Sequence, residues 1–180
     1  MSSVSIGGYG YRFDELEDYF NSHYGKGSYH ALALFRQLYS LWPSAVLHGL
    51  DISPELLEVA QKLVPGMGCF AGSIDALPLP DESYDLVCCT EVLEHLKQSE
   101  FAVSEIMRVG KKHFLFSVPN EPWWRIANMI RGAYCTDFGN SPGHINHWTS
   151  TEFIRFLSNC SEVVEVKRPF PWTIVLCRKK

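Results

Sequence analysis

Residues 75–96 read DALPLPDESYDLVCCTEVLEHL. Within them, Tyr84 to Cys89 is an apolar run of the length expected for a strand buried on both faces. Leu77-Pro78-Leu79-Pro80 before it is a proline-punctuated loop. Glu91 to Val109 after it has helical spacing, with a break point at Gln98-Ser99.

The same alternation extends in both directions. Upstream, Ala45 to Leu50 is a short apolar run ending in Asp51. Ser53 then reads as an N-cap, with Pro54 at the first helical position and Glu55 in the first turn. Before that strand, Ser28 to Ser40 has the apolar spacing of a helix. Downstream, Cys69 to Ala71 and His113 to Val118 read as strands, and Trp123 to Arg131 reads as a helix. Thr149 or Ser150 caps a helix through Leu157, and Glu162–Val166 and Thr173–Cys177 are the last strands. Alternating strands and helices predict an α/β fold, a mainly parallel sheet with helices on both faces. The last two strands lack a helix between them, so they predict an antiparallel edge pair.

A chain of 180 residues fits one domain, here 1–180 with an atypical segment over 1–27. A net charge of −4 argues against a dedicated nucleic-acid binder, which would carry a basic face. No segment reaches the roughly 18 apolar residues of a membrane span. Met1 to Gly10 lacks the basic start and apolar core of a signal peptide. Cys69, Cys88, Cys89, Cys135, Cys160 and Cys177 form no CxxC pair. They are expected to be reduced and mostly buried, as in a cytoplasmic protein.

Ligands of such sheets bind at the carboxyl ends of the strands. That directs attention to Asp51, to Cys89–His95 and to Val118–Glu121. Glu91, Glu94 and His95 stand at i, i+3 and i+4, so one helical face would present all three. Two carboxylates and an imidazole suit Mg²⁺, Mn²⁺ or another divalent cation, Zn²⁺ included. The alternative is structural: Glu91 complements the helix N-terminus, Glu94 is solvated and His95 packs. Without a metal, His95, His144 or His147 could serve as general base toward a hydroxyl. Trp123, Trp124 and Trp148 would suit a flat or apolar ligand, touch a membrane surface, or pack inward from a lid helix.

HGLDISPELLEVAQKL (48–63), the quoted 75–96 stretch and FLFSVPNEP (114–122) together resemble the class I S-adenosylmethionine-dependent methyltransferases. The similarity is strongest to the type 11 and ubiquinone-biosynthesis O-methyltransferase branch, and it covers roughly two thirds of the chain. The resemblance implies a Rossmann-like fold and S-adenosylmethionine as cofactor. It implies that Asp51 accepts hydrogen bonds from the ribose hydroxyls and that Ile52 packs on the adenine. A carboxylate that only caps the Ser53 helix is the competing role for Asp51. Ser73 and Ile74 stand where many relatives bind adenine, with Asp75 as the alternative acid. Cys89 and Thr90 would border the sulfonium. Glu91-x-x-Glu94-His95 also resembles the metal motif of small-RNA 2′-O-methyltransferases and ubiquinone-pathway enzymes. Those relatives add a downstream histidine, matched by His144, with His147 as the alternative.

One motif departs from the pattern. Relatives carry a glycine-rich turn after the first strand, where backbone N–H groups meet the cofactor. Here Asn21-Ser22-His23-Tyr24-Gly25-Lys26-Gly27 stands in its place, with only Gly25 and Gly27 surviving. The preceding stretch carries four acids within Phe13–Phe20 and does not read as a central strand, so the first strand is expected to be abnormal or missing. The leading expectation is methyl transfer to a hydroxyl of a small molecule. The alternative is an inactive methyltransferase-like protein serving as a structural or regulatory partner. A sheet without its central strand would expose edges that a homodimer could cover. Metal-dependent RNA methylation is a weaker reading, because the chain lacks a basic patch.

Overall fold

The computed structural model describes residues 38–180. Among these residues six strands run in the order β1 (His48–Asp51), β2 (Gly68–Ala71), β3 (Tyr84–Thr90), β4 (Gly110–Pro119), β5 (Ser161–Lys167) and β6 (Trp172–Lys179). Four α-helices accompany them there: α1 (Pro54–Leu63), α2 (Ser99–Val109), α3 (Glu121–Ile130) and α4 (Ser150–Ser158). Residues 38–41 are helical as well. The surviving glycines Gly25 and Gly27, the 1–27 segment and most of the expected Ser28–Ser40 helix lie outside the described residues.

Among the described residues the strands form two sheets. β1 and β2 pair in parallel, with Asp51 opposite Ala71. The larger sheet has the order β3-β4-β6-β5. β3 and β4 are parallel, and β6 runs antiparallel to both β4 and β5. The C-terminal pair is therefore the antiparallel edge that the missing crossover helix predicts. β6 lies inside it and β5 forms the rim.

Helices cover both faces because neighbouring strand residues point to opposite sides. Cys88 of β3 packs with Leu47, Val59, Ala60, Val64 and Met67, under α1. Cys89 points the other way, into a core with Ala102 and Ile106 of α2 and Phe153 and Leu157 of α4. Phe114, Phe116 and Phe153 are fully buried there. The expected N-caps hold. Ser53 accepts from the Leu56 N–H at the start of α1. Thr149 forms a capping box with Glu152 at the start of α4. Only Cys88, Cys89 and Cys177 are buried, so the cysteines are less sequestered than their apolar surroundings suggested.

The break expected at Gln98-Ser99 is present, but the stretch before it is not the α-helix that its spacing predicts. Glu91 turns the chain at φ +55°, and Leu93–His95 form a short 3₁₀ turn. The α-helix starts only at Ser99. The Glu94 carbonyl leaves the helical ladder because it accepts from the N–H groups of Ile145 and Asn146, at 2.8 and 3.0 Å. A loop fifty residues downstream thus outcompetes the local helix for that acceptor. The face expected to present Glu91, Glu94 and His95 side by side does not form.

Candidate active site

β1 ends at Asp51, whose Oδ1 accepts from the Ser53 N–H at 2.8 Å. The capping role is therefore real. Among the described residues Oδ2 has no partner, so the carboxylate keeps acceptor capacity beyond its cap. The next side chain, Ile52, is 80% exposed, an unusual position for an isoleucine at a strand end. Ser73 caps the 3₁₀ turn Ile74–Ala76 by accepting from the Asp75 N–H, and its hydroxyl donates to Asp75 Oδ2 at 3.3 Å.

A cavity of about 100 Å³ lies between β1 and β3. Leu50, Phe70, Ile74, Cys89, Thr90 and Val92 line its end nearest the strand termini. Asp51 and Ile52 are not part of that lining. Burial pushes the Cys89 thiol far above its ordinary range, so Cys89 contributes bulk there, not a thiolate.

Beyond β3 the chain gathers its acids and histidines. Glu94 Oε1 and Oε2 are buried and have no hydrogen-bond partner among the described residues. Burial is the first cause that holds its carboxyl well above the usual range, and the nearby Glu91 charge is the second. Glu94, His95 and His144 can each offer a ligand atom, all within 4.8 Å of one another. His95 Nδ1 lies 3.0 Å from the Gly143 carbonyl, which makes it the N–H donor. His144 Nδ1 lies 2.5 Å from Glu121 Oε1, so it too carries its hydrogen on Nδ1. In the neutral form each ring so held presents an Nε2 lone pair, the state a metal ligand or a base requires. Partial burial lowers the His95 pKa, against the upward pull of the Gly143 carbonyl.

Glu91 stands apart from these three. Its two oxygens are taken by Ser117 Oγ at 2.8 Å and Trp172 Nε1 at 2.9 Å. Burial raises its carboxyl to about 7, although both hydrogen bonds pull it down. His147 is also outside the group, exposed, with Nε2 3.1 Å from Asn140 Oδ1. The tryptophans divide. Trp124 turns inward, stacks near His144 at 6.2 Å and donates Nε1–H to Ser141 Oγ. Trp148 packs on Phe153 and Phe156. Trp123 stays 53% exposed.

Four further residues hold the site: Trp172 and Asn146 carried no expectation from the sequence, while Glu121 and Trp124 lay in stretches singled out there for other roles. Glu121 and Trp124 come from α3, Trp172 from β6, and Asn146 from the loop before α4. Asn146 Nδ2 donates to the Leu93 and Leu96 carbonyls at 2.9 and 2.7 Å, which ties that loop to the 3₁₀ turn. Their sequence signals are weak. An acid at a helix start and an asparagine in a loop each have a commoner explanation.

The donor set fits a cation. A buried carboxyl group whose oxygens lack partners among the described residues, beside two imidazoles, is costly to ionise unless something positive completes it. Mixed oxygen and imidazole ligands suit Mn²⁺, Fe²⁺ or Zn²⁺ and admit Mg²⁺. No helix among the described residues is long and apolar enough to cross a membrane.

The fold has known counterparts. Across 100% of this chain and 82% of the other, it superimposes on an S-adenosylmethionine-dependent methyltransferase from Aquifex aeolicus, with a TM-score of 0.65 at 12% identity. Over 94 residues the chain is 38% identical to an uncharacterized methyltransferase-like protein of Schizosaccharomyces pombe, an alignment covering 49% of this chain and 36% of that protein. Over 88 residues it is 34% identical to the malonyl-(acyl-carrier protein) O-methyltransferase of Methylococcus capsulatus, covering 47% of this chain and 31% of that enzyme. The aligned stretches span about a third of the length of these two relatives. A family model described as a methyltransferase domain matches residues 23–116, just over half of the chain. With that match and this fold, the chain belongs to the class I S-adenosylmethionine-dependent methyltransferases, in the type 11 methyltransferase-domain family.

Proposed function

We propose that this chain transfers the methyl group of S-adenosylmethionine to a hydroxyl of a small molecule, with a divalent cation held by Glu94, His95 and His144. The observation that carries the metal-assisted form is the buried Glu94 carboxylate, unpartnered at both oxygens and within 4.8 Å of two imidazoles. An oxygen acceptor fits that set better than a nitrogen one, because hard cations bind oxygen.

Asp51 would hold the ribose through Oδ2 while Oδ1 keeps the Ser53 cap. Ile52 would cover the adenine, and Ser73 and Ile74 would border it. Cys89 and Thr90 close the cavity wall nearest the reacting sulfur. The chemistry is one displacement: the acceptor oxygen bonds to the methyl carbon, the carbon–sulfur bond breaks, and S-adenosylhomocysteine leaves with the electron pair. With a cation bound, the Nε2 lone pairs of His95 and His144 would be committed to it and the hydroxyl proton would pass to solvent; without one, either Nε2 would take the proton. A bound cation would fix the acceptor oxygens and lower the hydroxyl pKa. The remaining rate gain is proximity and alignment.

The test is calorimetric titration with S-adenosylmethionine and S-adenosylhomocysteine, with Asp51→Ala as control. Methyl transfer to a panel of catechols and hydroxy acids follows, with Mg²⁺ or Mn²⁺ and with chelator. Binding that disappears in the control, and turnover that chelator abolishes, are the expected results. Folded protein that binds neither ligand at millimolar concentration would sink this reading in favour of an inactive structural partner.

A further inference from the structure

Glu121 occupies the first position of α3 and is only 2% exposed. An acid that merely complements a helix N-terminus does so from the surface at little cost. Burying one costs several kcal/mol unless a specific partner repays it. Its partner is His144, with Glu121 Oε1 2.5 Å from Nδ1 and both side chains almost fully enclosed. Glu121 Oε2 has no partner.

His144 is held from two further sides. Trp124 lies nearly parallel to the imidazole, at 22°, and His95 meets it edge-on at 4.9 Å. Trp124 is itself fixed by Ser141 Oγ and by contact with Trp172 at 5.5 Å. One turn of α3 therefore delivers both the carboxylate and the aromatic plane that orient a histidine 23 residues downstream.

We propose that Glu121 is a positioning residue for the metal-assisted site: it locks His144 with its proton on Nδ1, so that Nε2 is presented to the cation shared with Glu94 and His95. The assignment rests on the proposed function above. Carboxylates that orient metal-bound histidines typically change metal affinity ten- to hundredfold when removed. Loss of the Nδ1 acceptor leaves Glu94 as the nearest carboxylate of the trio, which favours transfer of the ring proton to Nε2. That tautomer cannot ligate through Nε2.

The experiment uses the full chain, as wild type, Glu121→Gln and Glu121→Leu. Co²⁺ binding is read by its visible absorption, and the His144 tautomer by long-range ¹H–¹⁵N correlation without metal. Wild type should show the Nδ1–H tautomer. Glu121→Leu should shift toward Nε2–H and weaken Co²⁺ binding ten- to hundredfold. Glu121→Gln, whose amide oxygen can still accept from Nδ1, should retain most of both. A wild-type His144 with its proton on Nε2 overturns the assignment even if the variants fail to fold. So does a folded Glu121→Leu with unchanged tautomer and cobalt affinity. A tautomer that shifts in Glu121→Leu, with no cobalt spectrum even in wild type, supports the orienting role and refutes the cation reading alone.

Discussion

The indole Nε1 of Trp172 donates to Glu91 Oε2 at 2.9 Å, across 81 residues of sequence, and fixes the carboxylate at the end of β3. Ser117 Oγ occupies the other oxygen. Glu91 sits at φ +55°, a conformation that non-glycine residues hold only when their surroundings require it. These contacts make Glu91 the pin of the strand end and account for its separation from the Glu94 group.

The pH dependence of stability should carry the mark of this carboxyl. Its folded pKa, about 7, lies above the ordinary value of 4.5. The folded state therefore binds the proton more tightly, and stability falls as the pH rises from 4.5 to about 7. Glu91→Gln keeps an acceptor for the Trp172 indole, turns its amide N–H toward Ser117 Oγ and removes the titration. Urea unfolding across that window should show a smaller fall for the variant than for wild type. Trp172→Phe should cost about 1–3 kcal/mol by leaving a buried acceptor unpaired. Equal pH slopes in wild type and Glu91→Gln would refute the account.

Glu94 should trade stability for binding. Its carboxyl is held above the ordinary range by burial and by Glu91, so metal-free protein loses stability as the pH rises past that range. Glu94→Leu should raise the metal-free melting temperature at pH 8. Mn²⁺ should raise the melting temperature of wild type and leave the variant unmoved. A wild-type melting temperature indifferent to millimolar Mn²⁺ would count against the cation.

Asp51 has two duties that one substitution can separate. Asp51→Asn keeps an oxygen for the Ser53 N–H, so the start of α1 should survive. The charge on the ribose acceptor is lost, and S-adenosylhomocysteine affinity should drop about tenfold or more, since hydrogen bonds to charged groups contribute about 1.5–3 kcal/mol. Ile52→Ala should weaken binding with no loss of stability, because the side chain is 80% exposed. Calorimetry beside thermal melts separates the two effects.

Gly143 has φ +86°, and a β-carbon there would stand 3.2 Å from His95 Nδ1. Gly143→Ala should therefore destabilise by about 1–2 kcal/mol and displace His95. The checks are the unfolding midpoint and Co²⁺ affinity. An alanine variant with wild-type values in both would show that the loop and the histidine are not coupled.

Period and punctuation in the sequence were enough for the strands and the capped helices. Tyr84–Thr90 is apolar because both faces are covered, and Ser53-Pro54-Glu55 announces α1 by local hydrogen-bond chemistry. The family motifs pointed to Asp51 at the strand end and to Glu91, Glu94, His95 and His144 as a group, of which the structure brings the last three together. Local spacing failed at Glu91. Its expected helix lost the competition for the Glu94 carbonyl to Ile145 and Asn146, and no window around residue 91 contains that contest. The same holds for Glu121 and Trp172, whose roles depend on α3 and β6 arriving beside β3. The sequence by itself determined which segments form strands and helices and which residues can ligate, because those follow from short-range periodicity and side-chain chemistry. Only the tertiary structure decided which carboxylate stays unpartnered and which nitrogen of His144 is left bare, because burial and long-range hydrogen bonds set both.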